Sequence, residues 1–172
     1  MLVATDSFRL SEKRITLSKA IPSQTSCIVP TRAMLEFARL CSKMPELEKV
    51  KMTIGKNQIL FTLDGIELYS RLIEGNFPNY RQILPRSIRT STSLDASDQA
   101  LAVKRVSLFA RENNNKILFD FQKSKLRIST PATQMGEEEG ELPIALDGDP
   151  GTIALNGEFV LDVLAHLGTD QV

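Results

Sequence analysis

Carboxylates, cations and thiols are spread through this 172-residue sequence, and few stand at spacings that support chemistry. His166 is the sole histidine, and no serine or cysteine near it belongs to a nucleophile motif, which argues against a triad. The run Glu137-Glu138-Glu139-Gly140-Glu141 gathers carboxylates of the kind that attract Mg²⁺ or Ca²⁺. It lacks the ligand spacing of a cation loop and is read as a solvated hairpin tip. Asp147-Gly148-Asp149-Pro150-Gly151 lacks the closing Glu of a calcium loop and reads as a turn. Cys27 and Cys41 fit no metal spacing and are expected to be reduced, buried thiols. With no P-loop and no Gly-x-Gly-x-x-Gly segment, no catalytic residue, metal or cofactor is expected.

The spacings that do suggest a use are basic. Arg32, Glu36, Arg39 and Lys43 fall at i, i+4, i+7 and i+11, one stripe of a helix. Lys104 and Arg111 are seven apart, with Arg105 beside the first. Such side chains can hold a phosphate backbone by charge alone, without reading bases. Glu158, Asp162 and His166 make a third stripe of opposite character. Lys plus Arg equals Asp plus Glu at 21 each, so any basic surface must come from local arrangement.

Three helices are expected to carry these stripes. Thr31 to Met44 places Met34, Phe37, Ala38, Cys41 and Met44 on one apolar face, with Pro30 at its start and Pro45 after it. Ser97 to Glu112 places Ala102, Val106, Phe109 and Ala110 together. Gly157 to Leu167 has Asn156 as N-cap and Gly168 as its left-handed terminator. Strands are expected over Phe8–Leu17, Val50–Ile54, Ile59–Leu63, Ile66–Ile73, Ile117–Phe121 and Leu126–Thr130. Gly55-Lys56-Asn57 and Asp64-Gly65 are hairpin turn signals. The apolar share of 42% suffices for a packed core. No apolar run reaches the roughly 18 residues of a membrane span, and the start lacks a basic signal-peptide region, so a cytoplasmic protein is expected.

The segment Val29–Ala38 repeats as Leu155–Leu164, 126 residues on. Each copy is a strand end, a helix start and apolar pairs bracketing an acid. The first copy continues into three strands and the second reaches Val172. The chain is therefore expected to be a fragment or truncated form, holding one full period and part of another.

Thr5-Asp6-Ser7-Phe8-Arg9-Leu10, Ile28-Val29-Pro30, Leu72–Tyr80 with Leu84-Pro85, Leu101–Glu112 and Asn156–Leu164 together resemble, in order and spacing, the bacterial DNA polymerase III sliding clamp family. The resemblance implies an α+β DNA-clamp fold, with antiparallel sheets outside and amphipathic helices on the inner face. Residues 1–86 would be the second half of the middle domain, and 87–172 most of the C-terminal domain without its final strands. The implied function is a non-catalytic processivity factor. The parent would encircle double-stranded DNA as a head-to-tail homodimer and tether the replicative polymerase.

Carried over residue by residue, the resemblance puts Thr5, Ser7, Phe8, Arg9 and Leu10 on one wall of a peptide-docking groove. Pro78 and Ile83 fall on a second wall, and Asn156 and Phe159 on a third. Leu10, Pro78 and Ile83 would offer apolar surface, while Arg9 and Asn156 would bond the peptide backbone. Arg32, Arg39, Lys43, Lys104 and Arg111 would face DNA, and Leu108 and Phe109 the other protomer. The implied partners are the polymerase alpha subunit, the clamp loader and other clamp-binding peptides, with no membrane. A stand-alone peptide-docking module that never encircles DNA is the alternative.

Overall fold

The structure is a computed structural model that describes residues 1–17, 25–131 and 138–172. In chain order the elements are β1 (Leu2–Thr5), β2 (Leu10–Lys13), α1 (Thr31–Ser42), β3 (Lys51–Ile54), β4 (Gln58–Leu63), β5 (Ile66–Arg71) and β6 (Thr90–Ser91). Then follow α2 (Ala96–Ala110), β7 (Lys116–Phe121), β8 (Lys125–Ser129), β9 (Glu139–Pro143), β10 (Asp147–Gly148), β11 (Gly151–Asn156) and α3 (Gly157–His166). They form two compact units, one of Arg14–Leu84 and one of Met1–Lys13 with Pro85–Val172.

The unit Arg14–Leu84 is one helix on a three-stranded antiparallel meander, β3-β4-β5. Alternation along β4 buries Ile59, Phe61 and Leu63. Met34, Phe37, Leu40, Cys41, Met44 and Leu47 pack on them, with the Phe37 and Phe61 rings 4.5 Å apart. Leu40 takes the packed position expected for Ala38, which is exposed. The helix itself ends at Ser42. Lys43 and Met44 follow in a tighter i→i+3 turn, their N–H groups donating to Leu40 and Cys41. Asp64 and Gly65, both at positive φ, turn β4 into β5. Cys27 and Cys41 are free thiols, half-buried rather than fully buried.

The other unit holds the larger core. Its sheet runs β11-β7-β8-β9, antiparallel throughout. Ile117 and Phe119 of β7 and Leu126 and Ile128 of β8 meet Val103, Val106 and Ala110 of α2. Val103 is wholly buried, whereas Phe109, expected on that face, is half-buried. Asp95 caps α2, accepting from the Ser97 and Asp98 N–H groups at 2.9 and 3.1 Å. Asn156 caps α3 as expected. That helix stops because Leu167 turns extended (φ −73°, ψ 130°), without a left-handed Gly168.

Three expectations are corrected here. Glu139 to Glu141 lie in strand β9 rather than at a hairpin tip, and Glu137 falls outside the described residues. Lys125–Glu141 and Arg127–Glu139 ion pairs join β9 to β8, and Arg105 of α2 pairs with Glu138. Cross-strand cations explain how an acid run sits in a sheet. Asp147-Gly148 is a short strand paired with Thr90-Ser91, not part of a turn. Gly148 has φ +99°, and a Cβ there would stand 2.1 Å from the Arg89 carbonyl oxygen, so only glycine fits. Phe8–Leu17 is not one strand: β1 and β2 form a hairpin with its turn at Asp6–Arg9.

Candidate docking cleft

The hairpin loop is built by its own side chains. Asp6 Oδ1 accepts the Phe8 and Arg9 N–H groups, each at 3.0 Å, and Oδ2 accepts Arg9 Nε at 2.9 Å. Thr5 Oγ1 donates to the Arg9 carbonyl at 2.8 Å and accepts the Ser7 N–H at 3.2 Å. Ser7 sits at φ +78° as a consequence. Thr5 and Ser7 thus shape the loop, while Phe8 is left 84% exposed at its tip.

Arg9 joins the loop to α3. Its guanidinium carbon lies 4.5 Å from the centre of the Phe159 ring, and Nη1 donates to Asp162 Oδ2 at 2.6 Å. The Phe8 and Phe159 rings are 6.2 Å apart. Residues 1–13 consequently pack with 85–172.

A cleft of about 320 Å³ opens beside this junction, lined by Phe8, Arg9, Asn156 and Phe159 with Leu155, Val160, Val163 and Leu164. Asn156 Oδ1 is committed to the cap, accepting Glu158 N–H at 2.9 Å and Phe159 N–H at 3.3 Å. Its Nδ2 reaches the Asn114 carbonyl at 3.4 Å. Gln99, from α2, also lines the cleft. Its Oε1 is buried without a hydrogen-bond partner among the described residues. An apolar slot edged by a fixed guanidinium suits a short apolar chain.

Four of the expected groove residues therefore meet: Phe8, Arg9, Asn156 and Phe159. Leu10 is half-buried on β2 and does not line the cleft. Pro78 and Ile83 are exposed residues of the other unit, flanking the 3-10 turn Tyr80–Gln82. Sequence reading missed Gln99, and missed Asp6 and Asp162 as the partners that aim Arg9. The three-residue spacing of Asp6 and Arg9 was visible, but nothing local marks Asp162, which lies 153 residues from Arg9.

Among the basic residues, Arg32 is exposed on α1 and Lys43 in the turn that follows it, while Arg39 makes a two-pronged ion pair with Glu36. Lys104 and Arg111 are exposed on the other unit, Leu108 is 57% exposed and Phe109 half-buried. Among the described residues no three His, Cys, Asp or Glu side chains are grouped to hold a metal ion. No helix of the described residues is long and apolar enough to cross a membrane.

The Asp6 carboxyl is held below the usual carboxylate range, chiefly by the Arg9 N–H, then by the Arg9 guanidinium and the Phe8 N–H. Because the folded value is the depressed one, the loop gains from ionised Asp6 above the unfolded value. That gain is lost as pH falls through the folded value. The Phe8 and Arg9 amide resonances are expected to hold steady from neutral pH through the ordinary carboxylate range and to shift only below it. A transition at the ordinary value, or none that Asp6→Asn removes, would contradict the loop geometry.

Solved DNA sliding clamps share this arrangement of helices on antiparallel sheets. A sliding clamp of Pseudomonas aeruginosa, solved with griselimycin, matches with a TM-score of 0.88 at 28% identity, covering 98% of this chain and 45% of that one. The chain belongs to the DNA polymerase III beta subunit family: residues 1–79 match its central domain and 81–172 its C-terminal domain. The beta sliding clamp of Pseudomonas aeruginosa is 31% identical over 172 residues, and that of Streptococcus pneumoniae 27% over 172. The chain spans 46% and 45% of their respective lengths.

Proposed function

We propose that this chain serves bacterial DNA replication as part of a sliding clamp, docking client peptides in the cleft between the Asp6–Arg9 loop and α3. The observation that carries this reading is Arg9, fixed over Phe159 by Asp162 and Asp6, which makes the cleft a formed feature of one compact unit. On this reading residues 1–86 belong to the clamp's middle domain and 87–172 to its C-terminal domain, as the family matches support. The parent is a cytoplasmic, non-catalytic ring of two head-to-tail protomers around duplex DNA, with Leu108 and Phe109 at the protomer contact. Its clients are the polymerase alpha subunit, the clamp loader and other clamp-binding peptides. Leu10, next in the chain to Arg9, extends the docking surface.

Titrating the chain with a short Gln- and Leu-containing peptide tests this. Saturable one-to-one binding is expected, and griselimycin, which the Pseudomonas aeruginosa clamp binds, is expected to compete for it. Peptide binding that griselimycin leaves untouched would move the docking site elsewhere.

On the same reading Arg32, Arg39, Lys43, Lys104 and Arg111 face the phosphate backbone. Arg39 is the weakest of them because Glu36 already holds its guanidinium. Each phosphate contact adds about 0.9 to the slope of log affinity against log salt. Arg32→Ala and Lys43→Ala are each expected to lower that slope by about one, and Arg39→Ala by clearly less. Duplex binding followed by fluorescence anisotropy across a salt series measures the three slopes. Three equal losses would contradict the role given to Glu36.

A further inference from the structure

Gly157 is the first residue of α3, and it is buried. Its φ is not positive, so the backbone there does not demand a glycine. Thr31 holds the same place in the repeated segment and opens α1 as an exposed residue. Helix propensity alone favours alanine over glycine. The need for glycine is one of space. A Cβ at this position would stand 2.4 Å from Ile117 Cδ1 of β7 and 2.7 Å from Ser107 Oγ of α2. Neither atom gives way cheaply. Ile117 is 0% exposed within the closed core, and the Ser107 hydroxyl donates to the Val103 carbonyl at 2.7 Å.

The backbone completes this seat. Asn114 and Asn115, at φ 53° and 57°, turn the chain into β7. Asn115 donates its N–H to the Ala110 carbonyl at 3.0 Å, and its own carbonyl accepts the Gly157 N–H at 2.9 Å. The start of α3 is thus fixed to the end of α2 and to the core strand together. Asn156 on one side of Gly157 caps the helix, and Phe159 two residues on carries the Arg9 guanidinium. We propose that Gly157 is a positioning residue for peptide docking: its missing side chain lets the first turn of α3 sink between Ser107 and Ile117, and that depth sets where the Phe159 ring meets Arg9 and the cleft. The inference rests on the docking reading above.

The displacement involved is large on the scale of the site. Bringing a Cβ from 2.4 Å to an ordinary carbon contact of about 3.5 Å moves the first turn of α3 by roughly 1 Å. Phe159 moves with it, away from a guanidinium now 4.5 Å from its centre. No group that lines the cleft is removed, so any loss of docking comes from placement alone.

Gly157→Ala in the whole chain tests this. Protons over a ring face are shielded, so the Arg9 side-chain resonances report on its stacking, and Phe159→Ala supplies their unshielded limit. In Gly157→Ala these resonances are expected to move toward that limit. Affinity for a Gln- and Leu-containing peptide should fall by about tenfold, less than loss of the ring itself causes. Adding Ile117→Val and Ser107→Ala removes both crowding atoms and is expected to restore the resonances and the affinity. This rescue separates placement from general loosening, because the two added changes can only thin the core. Unmoved Arg9 resonances in Gly157→Ala, or a triple variant that recovers neither property, would overturn the proposal. Absence of saturable peptide binding by the original chain would instead sink the docking reading, and with it the role of Gly157 in docking.

Discussion

Phe119→Ala is expected to cost the larger unit about 3–5 kcal/mol, the range for emptying a large side chain from a closed core. The ring is 1% exposed at the centre of β7, with Ile153 of β11 and Ile128 of β8 in register on either side. Val103 and Val106 of α2 belong to the same fully buried cluster. None of these neighbours can close the gap without moving a strand or the helix, so little relaxation is available. A domain is typically held by only 5–15 kcal/mol, so the loss takes a large share of it. Both tyrosines, Tyr69 and Tyr80, lie in the other unit, and their fluorescence would report on that unit instead. Amide hydrogen exchange of β7 in native conditions is the suitable readout. Protection of the β7 amides should fall by roughly two to three and a half powers of ten. Loss of less than one power would mean that the core is looser than its burial indicates.

Phe159→Ala should leave the fold in place and remove docking. Phe159 is half-buried on the first turn of α3, and its ring faces both the Arg9 guanidinium and the Phe8 ring. Without it the cleft loses a wall and Arg9 loses the surface it lies on, although Asp6 and Asp162 still hold its nitrogens. An aromatic anchor at the centre of an interface commonly accounts for about 2 kcal/mol, close to thirtyfold in affinity. Phe8→Ala, at the exposed loop tip, should change stability by no more than about 0.5 kcal/mol. Its effect on docking shows how far the tip takes part. Peptide titration with both variants separates the two contributions.

The elements legible in the sequence were those whose pattern is local. The period of α1, the alternation of β4 and the Asp64-Gly65 turn all rest on neighbours within a few residues, and all are present. What stayed hidden depended on distant partners. In β9 the inward positions are Gly140 and Leu142, and the outward ones are acids neutralised by Lys125 and Arg127 of the next strand. Its alternation is therefore invisible until the pairing is known. Likewise Asp147-Gly148 carries turn-type residues, yet pairs as a strand because Gly148 lets the Arg89–Thr90 backbone approach. The site divides in the same way. Arg9, Phe159 and Asn156 stood in readable motifs, but their meeting required a hairpin to fold onto a helix some 150 residues away.

Binding of a labelled Gln- and Leu-containing client peptide to the whole chain, compared with Phe159→Ala, tests the account most directly. The expected result is saturable binding that weakens about thirtyfold in the variant while β7 amide protection stays at its original level. Equal affinity in the two proteins, or no saturable binding to the folded original chain, would contradict the docking role of the cleft.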